Sequence, residues 1–300
     1  MKLLIIGGSG QLSGRVTELA LLAGHEVWAL TRGKRPLAAS VHSLVADRSD
    51  DAAVRSALGG ANVQWDAAID CICMTAANAR QDIDILPAFT KRLAVVSTDS
   101  VYEPHHKTVP QTEETEHYLR DGGYGANKRL MEEAFLACGN ALDWTIFRPG
   151  HIFGPGFLLG CFPEQSRQAD LLEHMRADKP LRLVGGGEFL IHPIYVDDMA
   201  LALLDCLDKT AAVREIFCIG GPDVITNAAY YEIVGRIIGH PAKIETIPLE
   251  GYLEAYPQYS GHLCQRSYCL DKLRAAGIRM PDMPIEHGLR RHVEWLDGQG

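Results

Sequence analysis

The 300-residue chain has no run of about 18 apolar residues, so nothing in it is long and apolar enough to cross a bilayer as a helix. It has no excess of basic residues either. Lys and Arg total 29 against 38 Asp and Glu, a formal net charge of −9, which argues against nucleic acid or an anionic membrane as the main partner. A basic segment followed by a separate apolar one is missing at the N-terminus, and the first apolar run reads as a strand. None of the eight cysteines forms a Cys-x-x-Cys pair. Cys71, Cys73 and Cys218 sit in apolar runs, so buried reduced thiols in a cytoplasmic protein are expected, not a disulfide framework. Neither His105-His106 nor His287 with His292 has an acid or cysteine at ligand spacing, so no metal is expected. There is no internal repeat and no low-complexity run. What remains is ordinary globular composition, 47% hydrophobic and 22% charged, enough for one large domain or two small ones.

The organising stretch is Lys2 to Gly14. Leu3 to Ile6 is a short apolar run of the kind buried on both faces of a parallel sheet. Gly7-Gly-Ser-Gly10 follows at once, and a helical pattern then runs through Val16, Leu19, Ala20 and Ala23. A strand, a glycine turn and a helix N-terminus present backbone N–H groups and a favourable dipole to a pyrophosphate, the physical content of a dinucleotide fingerprint. Gly7 and Gly10 fit the spacing. The third position is Ser13, with Gly14 one place late, and serine is small enough to stand there.

Strands are expected at Glu26–Thr31, 43–45, 66–73, 92–97 and 144–148, and helices at 50–58, 78–88 and from Tyr124 onward. Asp50 or Asp51 suits the first of these as N-cap. Alternating strands and helices with short connections predict an α/β fold, a Rossmann-like doubly wound parallel sheet. The end of the second strand carries Thr31-Arg32-Gly-Lys-Arg35, with three cations and no acid for a ribose 2′-hydroxyl. Arg32 therefore favours NADP(H), with NAD(H) as the alternative. Asp47 and Arg48 follow the third strand, where a polar side chain can reach an adenine edge.

The fifth strand runs into Ser97-Thr-Asp-Ser-Val-Tyr102, polar groups at the carboxyl end of a central strand. Tyr124 and Lys128, four apart, share a helical face. An ammonium beside a phenol favours the phenolate, so a lowered tyrosine pKa and a general acid/base role are expected.

With these pieces in order, the chain resembles an extended short-chain dehydrogenase/reductase of the NAD-dependent epimerase/dehydratase family. Arg148-Pro-Gly-His-Ile-Phe-Gly-Pro155, Tyr195-Val-Asp-Asp198 and Phe217-Cys-Ile-Gly-Gly221 complete the match over roughly residues 1–240. The resemblance implies a dinucleotide-binding domain at 1–152 plus about 190–222. It places a smaller substrate-binding lobe at about 153–189 and 223–300. The residue pattern itself gives a helix at 165–176, a strand at 181–184 and helices at 230–238, 272–276 and 285–296 in that part of the chain, with Ile191 to Tyr195 returning to the main domain and a helix at 197–207 following there. The resemblance implies that Gly7, Ser9, Gly10, Gln11, Leu12, Cys71, Lys128 and Pro149 hold the cofactor, with Arg32, Asp47 and Arg48. Tyr124 would be the acid/base, Lys128 its partner, Thr98 the group orienting the substrate oxygen, and Asp99 a further catalytic candidate. Dehydratases of the family follow that aspartate with Glu. Here Ser100 stands there, which weakens a dehydratase reading. Where the family places an Arg to clamp a substrate diphosphate, this chain has Ile191, and Arg167 or Arg182 would have to substitute.

The expected activity is NADP(H)-dependent oxidation, reduction or epimerisation at a hydroxyl or keto group of a sugar-like small molecule, nucleotide sugars included. Tyr252, Tyr256, Tyr259 and Tyr268 suit a ring in a cleft. The resemblance also implies a homodimer. A non-catalytic nucleotide-binding regulator or scaffold of the same fold is the alternative.

Overall fold

The computed structural model describes residues 1–161 and 167–299. Seven parallel strands form the central sheet: β1 Lys2–Ile6, β2 Glu26–Thr31, β3 His42–Val45, β4 Ala67–Asp70, β5 Arg92–Val96, β6 Asp143–Pro149 and β11 Glu215–Ile219. Their order is β11-β6-β5-β4-β1-β2-β3. The chain starts mid-sheet, runs to one edge, crosses back and runs to the other. The reversal lies between β1 and β4, where ligand crevices form in such sheets. This is the doubly wound Rossmann-like α/β fold that the strand–helix alternation predicts.

Helices cover both faces. Along β1, side chains alternate between them. Leu3 and Ile5 pack with Val16 and Ala20 of α1 (Gln11–Leu22) and with Met199 and Leu203 of α6 (Val196–Asp205). Leu4 and Ile6 pack on the other face with α2 (Asp51–Ala61), α3 (Ala76–Ile85) and α4 (Gly123–Leu136), through Val54, Leu58, Ala79, Met131 and Phe135. Asp50 is the N-cap of α2, its carboxylate accepting from the Ala53 amide at 3.0 Å.

A third core lies beyond the sheet. It joins α5 (Leu171–Arg176), β8 (Leu181–Val184), α7 (Asn227–Ile238) and α10 (Ile285–Asp297) through Leu171, Met175, Leu183, Tyr230, Val234 and Leu289. Paired short strands tie it together: β7 (Ile152–Phe153) with β10 (Ile194–Tyr195), β9 (Leu190–Ile191) with β12 (Ile225–Thr226), and β8 with β13 (Ile244–Ile247). The short helices α8 (Tyr252–Ala255) and α9 (Asp271–Ala275) complete the chain.

Two expectations shift. The fourth strand stops at Asp70, not Cys73, because the Asp70 carboxylate turns back to accept from the Ile72 amide at 2.7 Å. The helix expected from Gln165 begins at Leu171, and Gln165 itself lies outside the described residues. The run Ile191 to Tyr195 lies outside the central sheet. Pro193, which has no N–H, splits the run into the two-residue strands β9 and β10.

Candidate active site

The glycine turn is built for close approach. Gly8 adopts φ +60°, and a Cβ there would lie 2.6 Å from the Ala29 side chain on β2, so only glycine fits. Gly10 is the N-cap of α1. Ser13, standing in for the third glycine, is buried and accepts from the Gly10 amide at 2.9 Å. The serine is thus a cap of the helix as well as a small residue. Gln11 and Leu12 open the helix with first-turn amides lacking intrahelical acceptors.

A cavity of about 540 Å³ runs from Gly7, Ser9 and Gly10 to Arg32, Lys34 and Arg35. Arg35 crosses the turn, donating to the Ser9 carbonyl at 3.3 Å. Asp47 is exposed at the rim. Hydrogen bonds from Ser49 hold its carboxyl below the usual range, and Arg32 and Lys34 add to that. Arg48 lines the same cavity, but its guanidinium is turned inward. It pairs with Asp70 and Asp82 and donates to Gln81. This leaves Arg48 a framework residue more than a ligand for the cofactor. Cys71 is half-buried at the end of β4, its thiol pushed up in pKa by burial, and Pro149 is buried at the end of β6.

The carboxyl end of β5 carries Thr98 and Asp99, and α4 lies directly on it. Tyr124 opens α4 above the turn that carries Thr98 and is 55% exposed. Lys128, one turn on, is buried and donates to the carbonyls of Cys73 and Val96 at 2.7 Å each. Its ammonium lies 5.9 Å from the Tyr124 ring centre. The expected lowering of the phenol is not what this geometry produces. Partial burial pushes the Tyr124 pKa upward and the neighbouring Thr98 hydroxyl only partly offsets it, while the Lys128 charge is taken up by two carbonyls. Two of the three ammonium protons are so engaged, leaving one for a further acceptor.

Asp99 is buried and accepts from the Tyr268 hydroxyl at 2.5 Å, with the Arg266 guanidinium at 3.4 Å and Lys107 donating to Tyr268 at 3.3 Å. Burial alone would raise its pKa. Arg266, then Lys107 and the Tyr268 hydrogen bond, more than offset this and hold Asp99 below the usual carboxylate range. The sequence offered no local sign of this lock, because its partners lie 169 residues away. A second set of unannounced residues seats α4. Arg148 forks onto Glu132 at 2.9 and 2.7 Å, and Ser97 donates to Glu132 at 2.6 Å.

Other candidates fall elsewhere. Ile191 is buried and apolar. Arg182 is exposed and faces Glu245 at 3.8 Å. Tyr252, Tyr256 and Tyr259 pack against one another, with ring centres 4.9 to 6.2 Å apart, and Tyr268 is the tyrosine of that segment that reaches Asp99. His106, expected to lack an acidic partner, meets Glu103 at 3.1 Å, with His117 at 4.0 Å from the same carboxylate. Their ligand atoms lie within 4.8 Å of one another, a grouping that a chain turn between 106 and 117 creates and spacing could not show.

The sequence pattern of the NAD dependent epimerase/dehydratase family matches residues 3–220. The chain is 25% identical over 259 residues to the chloroplast stem-loop binding protein of 41 kDa b of Arabidopsis thaliana, covering 80% of this chain and 64% of that protein. It thus spans under two thirds of that relative's length. It is 25% identical over 293 residues to 2-alkyl-3-oxoalkanoate reductase of Stenotrophomonas maltophilia, covering 91% of this chain and 85% of that one. A solved dTDP-glucose 4,6-dehydratase from Bacillus anthracis, in complex with NAD, superimposes with a TM-score of 0.79 at 20% identity, over 99% of this chain and 97% of that chain.

Proposed function

The chain belongs to the NAD-dependent epimerase/dehydratase family and is an enzyme of the short-chain dehydrogenase/reductase type, and we propose that it is an NADP(H)-dependent oxidoreductase or epimerase acting on a hydroxyl or keto group of a sugar-like substrate. The observation that carries this is the pairing of Tyr124 and Lys128 on one face of α4, with the ammonium 5.9 Å from the ring centre, on a helix that rests against the turn carrying Thr98. A nicotinamide cofactor, when bound, supplies the hydride chemistry. Gly7, Ser9, Gly10, Gln11 and Leu12 would hold its diphosphate, with the remaining Lys128 proton available to its ribose. Arg32, Lys34 and Arg35 surround the space open to a 2′-phosphate, which supports NADP(H) over NAD(H).

Thr98 orients the substrate oxygen and Tyr124 moves its proton. With its pKa raised, the phenol is protonated at neutral pH and ready to donate to a developing alkoxide. Asp99, held as a carboxylate, fixes Tyr268 and the turn that carries Thr98. We place the protein in the cytoplasm as a homodimer; among the described residues no helix is long and apolar enough to cross a membrane. Leu130 and Leu136, 47% and 50% exposed on α4, are the residues a partner copy would cover. We assign residues 1–152 with about 190–222 to cofactor binding and the remainder to a substrate lobe, in keeping with the separate third core.

The test is titration with NADPH and NADH, followed by loss of nicotinamide absorbance on addition of carbonyl substrates. Tighter NADPH binding and turnover are expected. Cofactor binding without hydride transfer to any carbonyl would favour a non-catalytic regulator, and tighter NADH binding would remove the role given to Arg32, Lys34 and Arg35.

A further inference from the structure

The lobe side of the crevice is rich in positive charge and short of counterions. Lys107, Arg167 and Arg266 gather there, and Asp99 is the carboxylate that answers them. Asp99 is taken up by Arg266 at 3.4 Å and by the Tyr268 hydroxyl that also receives Lys107. Arg167 is left over. Its Nη2 donates to the Ile152 carbonyl at 2.9 Å and meets His151 Nδ1 at 3.2 Å, and its guanidinium lies 5.7 Å from the Phe157 ring centre. Its Nε is buried with no acceptor. Among the described residues no carboxylate lies within ion-pair distance of it. A half-buried guanidinium in that condition is costly unless an anion joins it.

His151 repeats the pattern. A guanidinium only donates, so the Nδ1 facing Arg167 must be the bare nitrogen and the ring proton sits on Nε2. That Nε2 is buried and has no acceptor. Two donors of neighbouring residues, Arg167 Nε and His151 Nε2, therefore lack partners. The charge of Arg167 bears on Tyr124, so the two groups share one electrostatic environment. His262, buried near Arg266, is pushed down to about 4 by burial and by that neighbouring charge, so it adds no positive charge at neutral pH.

We propose that the substrate carries an anionic group, a carboxylate or a phosphate ester, seated on Arg167. This rests on Tyr124 being the proton-handling group. The buried, apolar Ile191 and the Glu245-facing Arg182 offer no anion site of their own, so Arg167 is the group that selects a charged substrate over a neutral one. The bidentate fork of arginine suits either oxyanion.

The test uses the full chain saturated with NADPH, titrated calorimetrically with malonate and, separately, with inorganic phosphate. At least one should bind, and Arg167→Met should weaken it by about tenfold or more, with NADPH affinity and thermal midpoint unchanged. Binding of malonate alone identifies a carboxylate; binding of phosphate alone identifies a phosphate ester. No binding of either anion, or equal affinity in Arg167→Met, overturns the inference. Should that variant fail to fold, Arg167→Gln is held to the same tenfold criterion. Arg167-dependent anion binding in a protein that transfers no hydride would support this inference while counting against the oxidoreductase function.

Discussion

Gly125 in α4 lies so close to the carbonyl of Ser100 that a Cβ would overlap that oxygen. This contact seats α4 on the turn that carries Thr98: the residue beside the phenol has no side chain, so the helix can rest on the backbone of the turn. Arg148 and Ser97 then clamp Glu132, two turns further along, and keep the helix from rising.

Gly125→Ala should therefore damage the site more than its size suggests. The obstacle is backbone and cannot swing aside, and overpacking of this kind costs roughly 1–3 kcal/mol. Turnover should fall at least about tenfold as α4 and its Tyr124 shift away from the turn that carries Thr98, and the thermal midpoint should drop. Unchanged kcat and midpoint would show that α4 does not depend on this contact.

Tyr124→Phe removes the proton-handling group and little else, because the ring is more than half exposed. Turnover should fall by about 10²–10⁴, the range for loss of a general acid or base. The thermal midpoint should stay where it is. Steady-state kinetics and a melting curve decide the matter, and wild-type turnover in the variant would sink the assignment.

Arg35 leans over the glycine turn toward Ser9 within the cavity that Arg32 and Lys34 also line. Losing a charge-assisted contact to a phosphate costs roughly 1.5–3 kcal/mol. Arg35→Ala should weaken NADPH by about tenfold or more and leave NADH within about twofold. Equal losses for both cofactors, measured by fluorescence titration, would assign Arg35 to the turn and not to the 2′-position.

His292 predicts a pH effect on stability. Its Nδ1 accepts from the Gly154 amide at 3.3 Å and its Nε2 meets the Phe157 carbonyl at 2.8 Å, so the neutral ring bridges α10 to the loop after β7. Burial lowers its pKa to about 4, below the ordinary value of about 6.5. Between those values the unfolded chain holds more protons than the folded one, so stability rises with pH across that window and is lost as pH falls from about 6.5 toward 4. The loss attached to this one ring is at most about 3 kcal/mol. His292→Gln, which keeps a donor and an acceptor, should flatten the dependence of the thermal midpoint on pH between about 4 and 6.5. An equally steep curve in the variant would mean that other buried histidines account for it.

Local rules made much of this protein legible from the chain alone. The bounds of β2 match the apolar run Glu26–Thr31 residue for residue, and the glycine turn, the Asp50 cap and the shared face of Tyr124 and Lys128 all follow from spacings of a few residues. Backbone hydrogen bonding and steric limits act over such distances, so sequence expresses them directly. The direction of a charged side chain is set otherwise. Arg48 turning to Asp70 and Asp82, Asp99 locked by Tyr268, Lys128 held by two carbonyls and Arg167 without a counterion among the described residues all depend on which partners the topology brings near and on how much water it removes. Burial and long-range pairing decide the charge state of the site, and both exist only once the two ends of the chain have met.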